Sequence, residues 1–416
     1  MIRERVCINE KKTSLSITNS KISAVLKSNI QKTGIRLYDN DCLGIAGAIG
    51  SYDENDLIKN AKQMLKFKLP YNGKPTADIK RCVDFSTKLK MSNEEFVKFS
   101  DKLMQALRSK YGNFMFSHKI ELIETEETIT NDTGTDLVHR EKQLEVVLLN
   151  KHRDSKSMAD GFGFYITREA DFDTAFKEMS WVCEAYDEKA DFSEEFERIP
   201  VVLLGQHQEF LMKFMTDLDG NAFGSGASLF SDKTGEKLFN DNFSLLVNRD
   251  SENRFGCFFD GEGTVLPQDR FALIENGVLK SPYTTKRIAN KYGYSLTGSA
   301  SMGYDSTPSA SAACIEVARS DKTIKELLGG RKAVYALMAA GGDFTPQGEY
   351  ASPIQTAYLY DGENYFGRLP QLSMSSNIYD MFGKDFIGAS SVGSYSDCPC
   401  SYLALEMNVR KIDGWM

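Results

Sequence analysis

The residues with the most chemical reach in this 416-residue chain are few and scattered. There are four histidines, His118, His139, His152 and His207, and eight cysteines. No two histidines fall within one helical turn, whereas a zinc site needs about three protein ligands brought together. His207 and Glu209 stand at the start of a stretch that reads as a helix, and Cys398-Pro399-Cys400 lies far downstream. His207, Glu209, Cys398 and Cys400 are therefore the residues from which a metal site could be drawn. Each also has a plainer role. A glutamate in a first helical turn complements the helix dipole. A C-x-C pair has neither the two-residue spacing of a redox motif nor the two further ligands of a zinc knuckle. The stretch Gly220-Asn221-Ala222-Phe223-Gly224-Ser225-Gly226 could cradle a phosphate, but no Lys-Ser/Thr follows its last glycine. It also lacks the strand–elbow–helix setting of a serine nucleophile, which leaves a backbone turn. Asp343, Glu349, Asp361 and Glu363 sit in turn-rich sequence; a paired acid–base role would need geometry to join them, and solvated loop charge is the default.

The elements around these residues follow from periodicity. Val201–Leu204 reads as a buried strand, Gln206–Asp219 as a helix with Phe210, Leu211, Phe214, Met215 and Leu218 on its apolar face, and Gly220–Gly226 as a loop. Residues 1–50 read as a meander of short strands with turns at Asn19-Ser20 and Asp39-Asn40-Asp41. A helix is expected over Glu54–Phe67, an exposed connection over Lys68–Lys80, and a helix from the capping box at Ser92–Glu95 to Lys110. Strands follow over Phe114–Lys151, with a hairpin at Asn131–Gly134, then a strand over Gly161–Thr167 and a helix over Asp171–Lys189. From Ile199 onward the texture turns β-rich, with hairpin turns at Asp260–Gly263, Glu275–Gly277 and Asp361–Asn364. Two short helices, Thr284–Tyr292 and Lys322–Leu328, interrupt it. The expected fold is α+β. An N-terminal α/β two-layer sandwich occupies residues 1–190, and a mainly antiparallel β domain, a twisted sheet or partial barrel, occupies 199–416.

Composition narrows the function classes. The formal net charge is −8, and no block of five Lys or Arg occurs, which argues against a nucleic-acid partner. No run approaches 18 apolar residues, so no membrane span is expected. The charged N-terminus lacks the apolar core of a secretory signal, and sparse cysteines suit reduced thiols, which together point to the cytoplasm.

Read as a whole, the C-terminal half resembles the TldD/PmbA family. The resemblance rests on Phe259–Thr264, Leu273–Leu279, Ala289 and Thr297–Ala300, then Gly341–Thr345 with Gly348–Ser352, and continues through Gly362–Pro370, Met374–Asn377 and Phe386–Gly388. Ile35–Tyr38 extends it into the N-terminal half. The resemblance implies one of two kinds of subunit. TldD is a zinc metallopeptidase whose HExxxH helix supplies two histidines and a glutamate base, with a C-terminal cysteine as third ligand. TldE, or PmbA, lacks that motif and pairs with the first.

Aligning on Ser228–Ser231 and Gly235 puts the HExxxH slots on Leu211-Met212-Lys213-Phe214-Met215-Thr216. Leu211, Met212 and Thr216 thus stand where the two histidines and the glutamate would be, and packing is expected to fill those slots. The resemblance therefore implies a TldE/PmbA-like chain with no cofactor of its own, zinc residing only in a partner. The implied partners are an HExxxH-bearing TldD-type subunit and an unstructured peptide. Two alternatives stay open: a homodimeric regulatory protein without peptidase function, of the kind the older label modulator of DNA gyrase describes, and a metallopeptidase using His207, Glu209 and Cys398 or Cys400.

Overall fold

The structure, a computed structural model, describes residues 1–191, 197–204, 208–391 and 401–412. Its N-terminal half is built on two long strands, β1 (Ile2–Thr18) and β2 (Lys21–Asp39), with β3 (Cys42–Ile49) beside β2. Both connecting turns place two residues at positive φ, Asn19 with Ser20 and Asn40 with Asp41, as type I′ hairpins require. The short strands expected before Cys42 are two long ones instead. The polar run Asn9–Lys12 breaks the hydrophobic pattern, but β1 pairs with β2 on one side and β5 on the other straight through it. Main-chain bonds, not burial, carry the strand across.

The next elements are α1 (Glu54–Leu65), β4 (Lys80–Asp84), α2 (Asn93–Lys110), β5 (Phe114–Asn131), β6 (Asp136–His152), β7 (Gly161–Thr167) and α3 (Phe172–Ala185). The seven strands form one sheet in the order β3-β2-β1-β5-β6, with β4 and β7 both on the outer side of β6. Ser92 and Glu95 make the capping box that opens α2, and the Asp171 carboxylate caps α3. Phe96, Leu103 and Leu107 of α2 and Met179 of α3 bury against Leu15, Phe116, Leu144, Val146 and Tyr165 of the sheet. This is the expected two-layer sandwich.

The C-terminal half comprises β8 (Arg198–Leu204), α4 (Gln208–Asp217), α5 (Gly220–Gly224), β9 (Leu245–Asn248), β10 (Arg270–Glu275), β11 (Val278–Leu279), α6 (Lys286–Tyr292), β12 (Ile315–Val317) and α7 (Ile324–Leu328). It continues with β13 (Ala333–Ala339), β14 (Asp343–Phe344), β15 (Glu349–Tyr360), β16 (Tyr365–Arg368), β17 (Leu372–Asn377), α8 (Ile378–Met381), β18 (Phe386–Ala389) and β19 (Tyr402–Lys411). β13, β8, β19, β17 and β15 pair in that order, and β15 pairs back onto β13, so the sheet curls into a ring. β17 pairs with Glu349–Ile354 of β15 and β13 with Ile354–Tyr360, and Ile354 pairs with both, so the two neighbours lie on opposite edges of β15. The β13–β8 pair is parallel and the rest of the ring is antiparallel. A four-stranded sheet, β11-β10-β9-β12, stands beside it, and α4 is buried between the two, in a core shared by Val201, Phe214, Leu245, Leu273, Leu372 and Leu405. Among the described residues no helix is long and apolar enough to cross a membrane.

Candidate functional site at the first turn of α4

α4 is anchored from inside. Phe210, Leu211, Phe214 and Leu218 are each at most 1% exposed. The Phe214 ring lies 4.9 Å from Phe382, 5.4 Å from Phe239, 5.6 Å from Phe243 and 5.7 Å from Phe230, contacts worth about 0.5–1.5 kcal/mol each beyond area burial. Lys213 and Asp217, one turn apart and both nearly buried, pair at 2.8 Å. The second Asp217 oxygen accepts the Leu229 N–H at 2.6 Å. That bond fixes the helix to the Ser228–Ser231 segment. The expected loop after α4 contains α5, because the Asp219 carboxylate caps Asn221 and Ala222.

The three family slots do not share one environment. Leu211 is core, whereas Met212 is 38% exposed and Thr216, also exposed, donates its hydroxyl to the Met212 carbonyl at 2.9 Å. Packing therefore fills one slot and not three. The reason is helical spacing: Met212 and Thr216 are four apart and lie on the stripe opposite Phe210, Phe214 and Leu218. A leucine has no donor, a methionine offers a soft thioether, and the Thr216 hydroxyl is engaged with its own helix. These residues do not fit zinc, which takes thiolate, imidazole or carboxylate.

Above the first turn of α4 sits the β14–β15 hairpin. Phe210 and Phe344 both contact the Tyr350 ring, at 5.0 and 4.6 Å. Gly342 must be glycine: a Cβ there would come within 2.4 Å of the Ser352 Cβ and 2.9 Å of the Tyr350 hydroxyl. Glu209 is not the solvated polar surface the sequence suggests. It is half-buried, one of its oxygens is buried without a hydrogen-bond partner, and burial raises its pKa, offset in part by the Gly341 N–H. Burial likewise pushes the Tyr350 phenol up to about 12, with the Glu209 charge adding to it. Burial thus disfavours ionisation of both the Glu209 carboxyl and the Tyr350 phenol.

His207, Cys398 and Cys400 lie outside the described residues. His118, His139 and His152 are on β5 and β6 of the N-terminal sheet. Asp361 caps its own turn through the Glu363 and Asn364 N–H groups, Glu363 pairs with Lys325 at the surface, Glu349 accepts from Asn377 at 2.9 Å, and Asp343 bonds the Phe344 N–H at 2.7 Å.

Sequence reasoning missed a buried polar joint between the two halves. The Arg36 guanidinium meets Glu4 at 3.2 Å and the Gly303 carbonyl at 2.7 Å, and Tyr38 donates to Glu4 at 2.9 Å. Tyr71 donates to Glu262, which also accepts the Lys286 N–H at 2.7 Å. Lys286 Nζ reaches Thr76 and the Glu262 carbonyl at 2.7 and 2.8 Å. Tyr71 and Thr76 belong to the stretch expected to be exposed, yet Tyr71 is 3% exposed. Its one available signal was an aromatic residue between Pro70 and Pro75.

The same helix, hairpin and ring are shared with known proteins. A sequence profile of the PmbA/TldA metallopeptidase C-terminal domain matches residues 197–407, just over half of the chain. An uncharacterized protein of Methanocaldococcus jannaschii is 27% identical over 158 residues, which span 37% of this chain and only 36% of that protein. The structure of TldE from Thermococcus kodakarensis superposes with a TM-score of 0.77 at 16% identity, covering 98% of this chain and 96% of that one. A Thermotoga maritima protein whose name provisionally assigns it as a modulator of DNA gyrase gives a TM-score of 0.75, also at 16% identity and with the same coverage. At such identities the structural likeness speaks to the fold, while the profile runs through β8, α4, the β14–β15 hairpin and the strands of the ring: the chain belongs to the PmbA/TldD family.

Proposed function

We propose that this chain is the TldE-like, non-zinc-binding subunit of a two-subunit peptidase that degrades or trims unstructured peptides. The observation that carries the reading is the occupancy of the family's metal helix. The helix is anchored through its core face, and the resemblance sets Leu211, Met212 and Thr216 in the ligand and base slots. Metal, activated water and base would come from an HExxxH-bearing partner. This chain's contribution would be to shape the substrate path. β14 stands at the end of its sheet, and an extended peptide added to its edge would be held by main-chain bonds that accept many sequences.

The test is to produce the full chain alone and together with an HExxxH-bearing family member from the same genome. Zinc per chain and cleavage of an unfolded polypeptide are then measured for each and for the mixture. Cleavage confined to the mixture, with zinc in the partner only, is the expected result. One tightly bound zinc per copy of this chain alone, or a stable complex that cuts nothing, overturns the proposal.

A further inference from the structure

The joint between the halves holds three carboxyl groups and two cations. Glu4 and Arg36 come from β1 and β2, Asp260 and Glu262 from the turn after Phe259, and Lys286 opens α6. Each is at most 7% exposed. With every group ionised, the joint would carry one negative charge in excess, away from solvent. Such a charge is costly and is relieved by neutralising one group. The hydrogen bonds single out which. Glu4 accepts from Arg36 at 3.2 Å and from Tyr38 and Asn131 at 2.9 and 3.3 Å. Asp260 accepts the main-chain N–H groups of Glu262, Thr264 and Ala300 at 2.9, 2.8 and 3.0 Å. The Glu262 carboxyl group takes only the Tyr71 hydroxyl and the Lys286 main-chain N–H, neither of them a cation. The Lys286 ammonium turns instead to the Thr76 hydroxyl and the Glu262 main-chain carbonyl.

The groups that face Glu262 are Asp260 on its own turn, Lys286 on α6, Tyr71 between α1 and β4, Tyr38 and Arg36 on β2, and Glu4 on β1. Burial, with the Asp260 charge adding to it, pushes the Glu262 carboxyl up to about 7. Burial lowers the Lys286 pKa as well, but loss of the ammonium proton would leave two charges in excess instead of one. The joint is therefore neutralised by a proton gained, not by one lost. We infer that the joint takes up one proton, on Glu262, as the halves come together, and grips them more firmly with that proton than without it. The carboxyl hydrogen can pass to the Tyr71 oxygen, since a phenol accepts as well as donates. In the unfolded chain a glutamate loses its proton near about 4.3. The proton's contribution is complete below that value and is lost as pH rises to about 7, above which the joint keeps its excess charge. The joint is thus a proton-linked latch, and it does not depend on the proposed function.

The test follows the full chain from about pH 5 to about pH 9, by chemical denaturation and by the infrared band of protonated carboxyl groups, in wild type, Glu262→Gln and Lys286→Met. Glu262→Gln offers an acceptor and a donor, as the protonated carboxyl does, but cannot titrate. Relative to it, the wild-type folding constant should fall by up to about tenfold per pH unit between about pH 5 and about pH 7 and then level off. The wild type should also lose a carboxyl band, with its midpoint at about 7, that Glu262→Gln never shows. Lys286→Met takes a cation from the joint but keeps the N–H bond to Glu262, so the midpoint of that band should rise. Should Glu262→Gln fail to fold, this rise decides alone. Parallel pH dependence in wild type and Glu262→Gln, the same carboxyl bands in both, or a midpoint unmoved in Lys286→Met overturns the inference.

Discussion

Arg36 and Glu4 form an ion pair at 3.2 Å with both side chains fully buried, and the same guanidinium also bonds the Gly261 and Gly303 carbonyls. A cation fixed in the N-terminal sheet thus satisfies two backbone oxygens of the C-terminal half. Removing one member of such a pair leaves the other charge buried and unmatched. Arg36→Ala should cost about 3–5 kcal/mol, read as a lower midpoint in chemical denaturation. A cost under about 1 kcal/mol would show that the joint does not hold the halves together.

The two halves also touch backbone to backbone. A Cβ on Gly34, in the N-terminal sheet, would fall 1.7 Å from the Tyr304 carbonyl oxygen of the C-terminal half. Gly34→Ala should therefore push the halves apart, with an overpacking cost of at least about 1–3 kcal/mol, read as a lower midpoint in chemical denaturation. An unchanged midpoint would count against this close approach.

Leu211 and Met212 are adjacent in sequence and opposite in environment. Leu211→Ala should cost about 2–5 kcal/mol as a core truncation, whereas Met212→Ala should stay within about 0.5 kcal/mol as a surface change. Equal costs would mean that the helix is rotated from the orientation described.

Glu178, on α3, has its pKa pushed up to about 8 by burial. In the unfolded chain a glutamate loses its proton near about 4.3. Folding therefore takes up a proton between these values, and stability falls as pH rises through that window. Glu178→Gln should match the wild type near pH 4 and exceed it in stability at about pH 8.5, in parallel thermal melts. A pH slope equal to that of the wild type would refute the assignment.

The N-terminal sandwich was largely legible because its signals are local. The stripe Phe96, Leu103, Leu107, the capping box at Ser92 and the turn pairs at Asn19 and Asn40 each specify structure within a few residues. The ring was legible only as β-rich texture, since its closure depends on β15 pairing with β13 on one edge and β17 on the other, which no local pattern encodes. At the candidate site, the slot residues could be counted from sequence, but the half-burial of Glu209 depends on a hairpin more than 130 residues away. The joint of Arg36, Glu262 and Lys286 was illegible for the same reason: each residue reads as ordinary surface charge until the sheets meet.

The ring carries a consequence for synthesis. β19 lies between β8 and β17, and Ala404 pairs with Val202, about two hundred positions earlier in the chain. A nascent chain emerging from the ribosome can assemble the N-terminal sandwich from neighbouring segments, but β8 must wait for Tyr402–Lys411 before its antiparallel side is covered. Until then β8 and β17 present open edges of the kind that draw chaperones or aggregate, and closing so long a loop makes this the slow step of maturation.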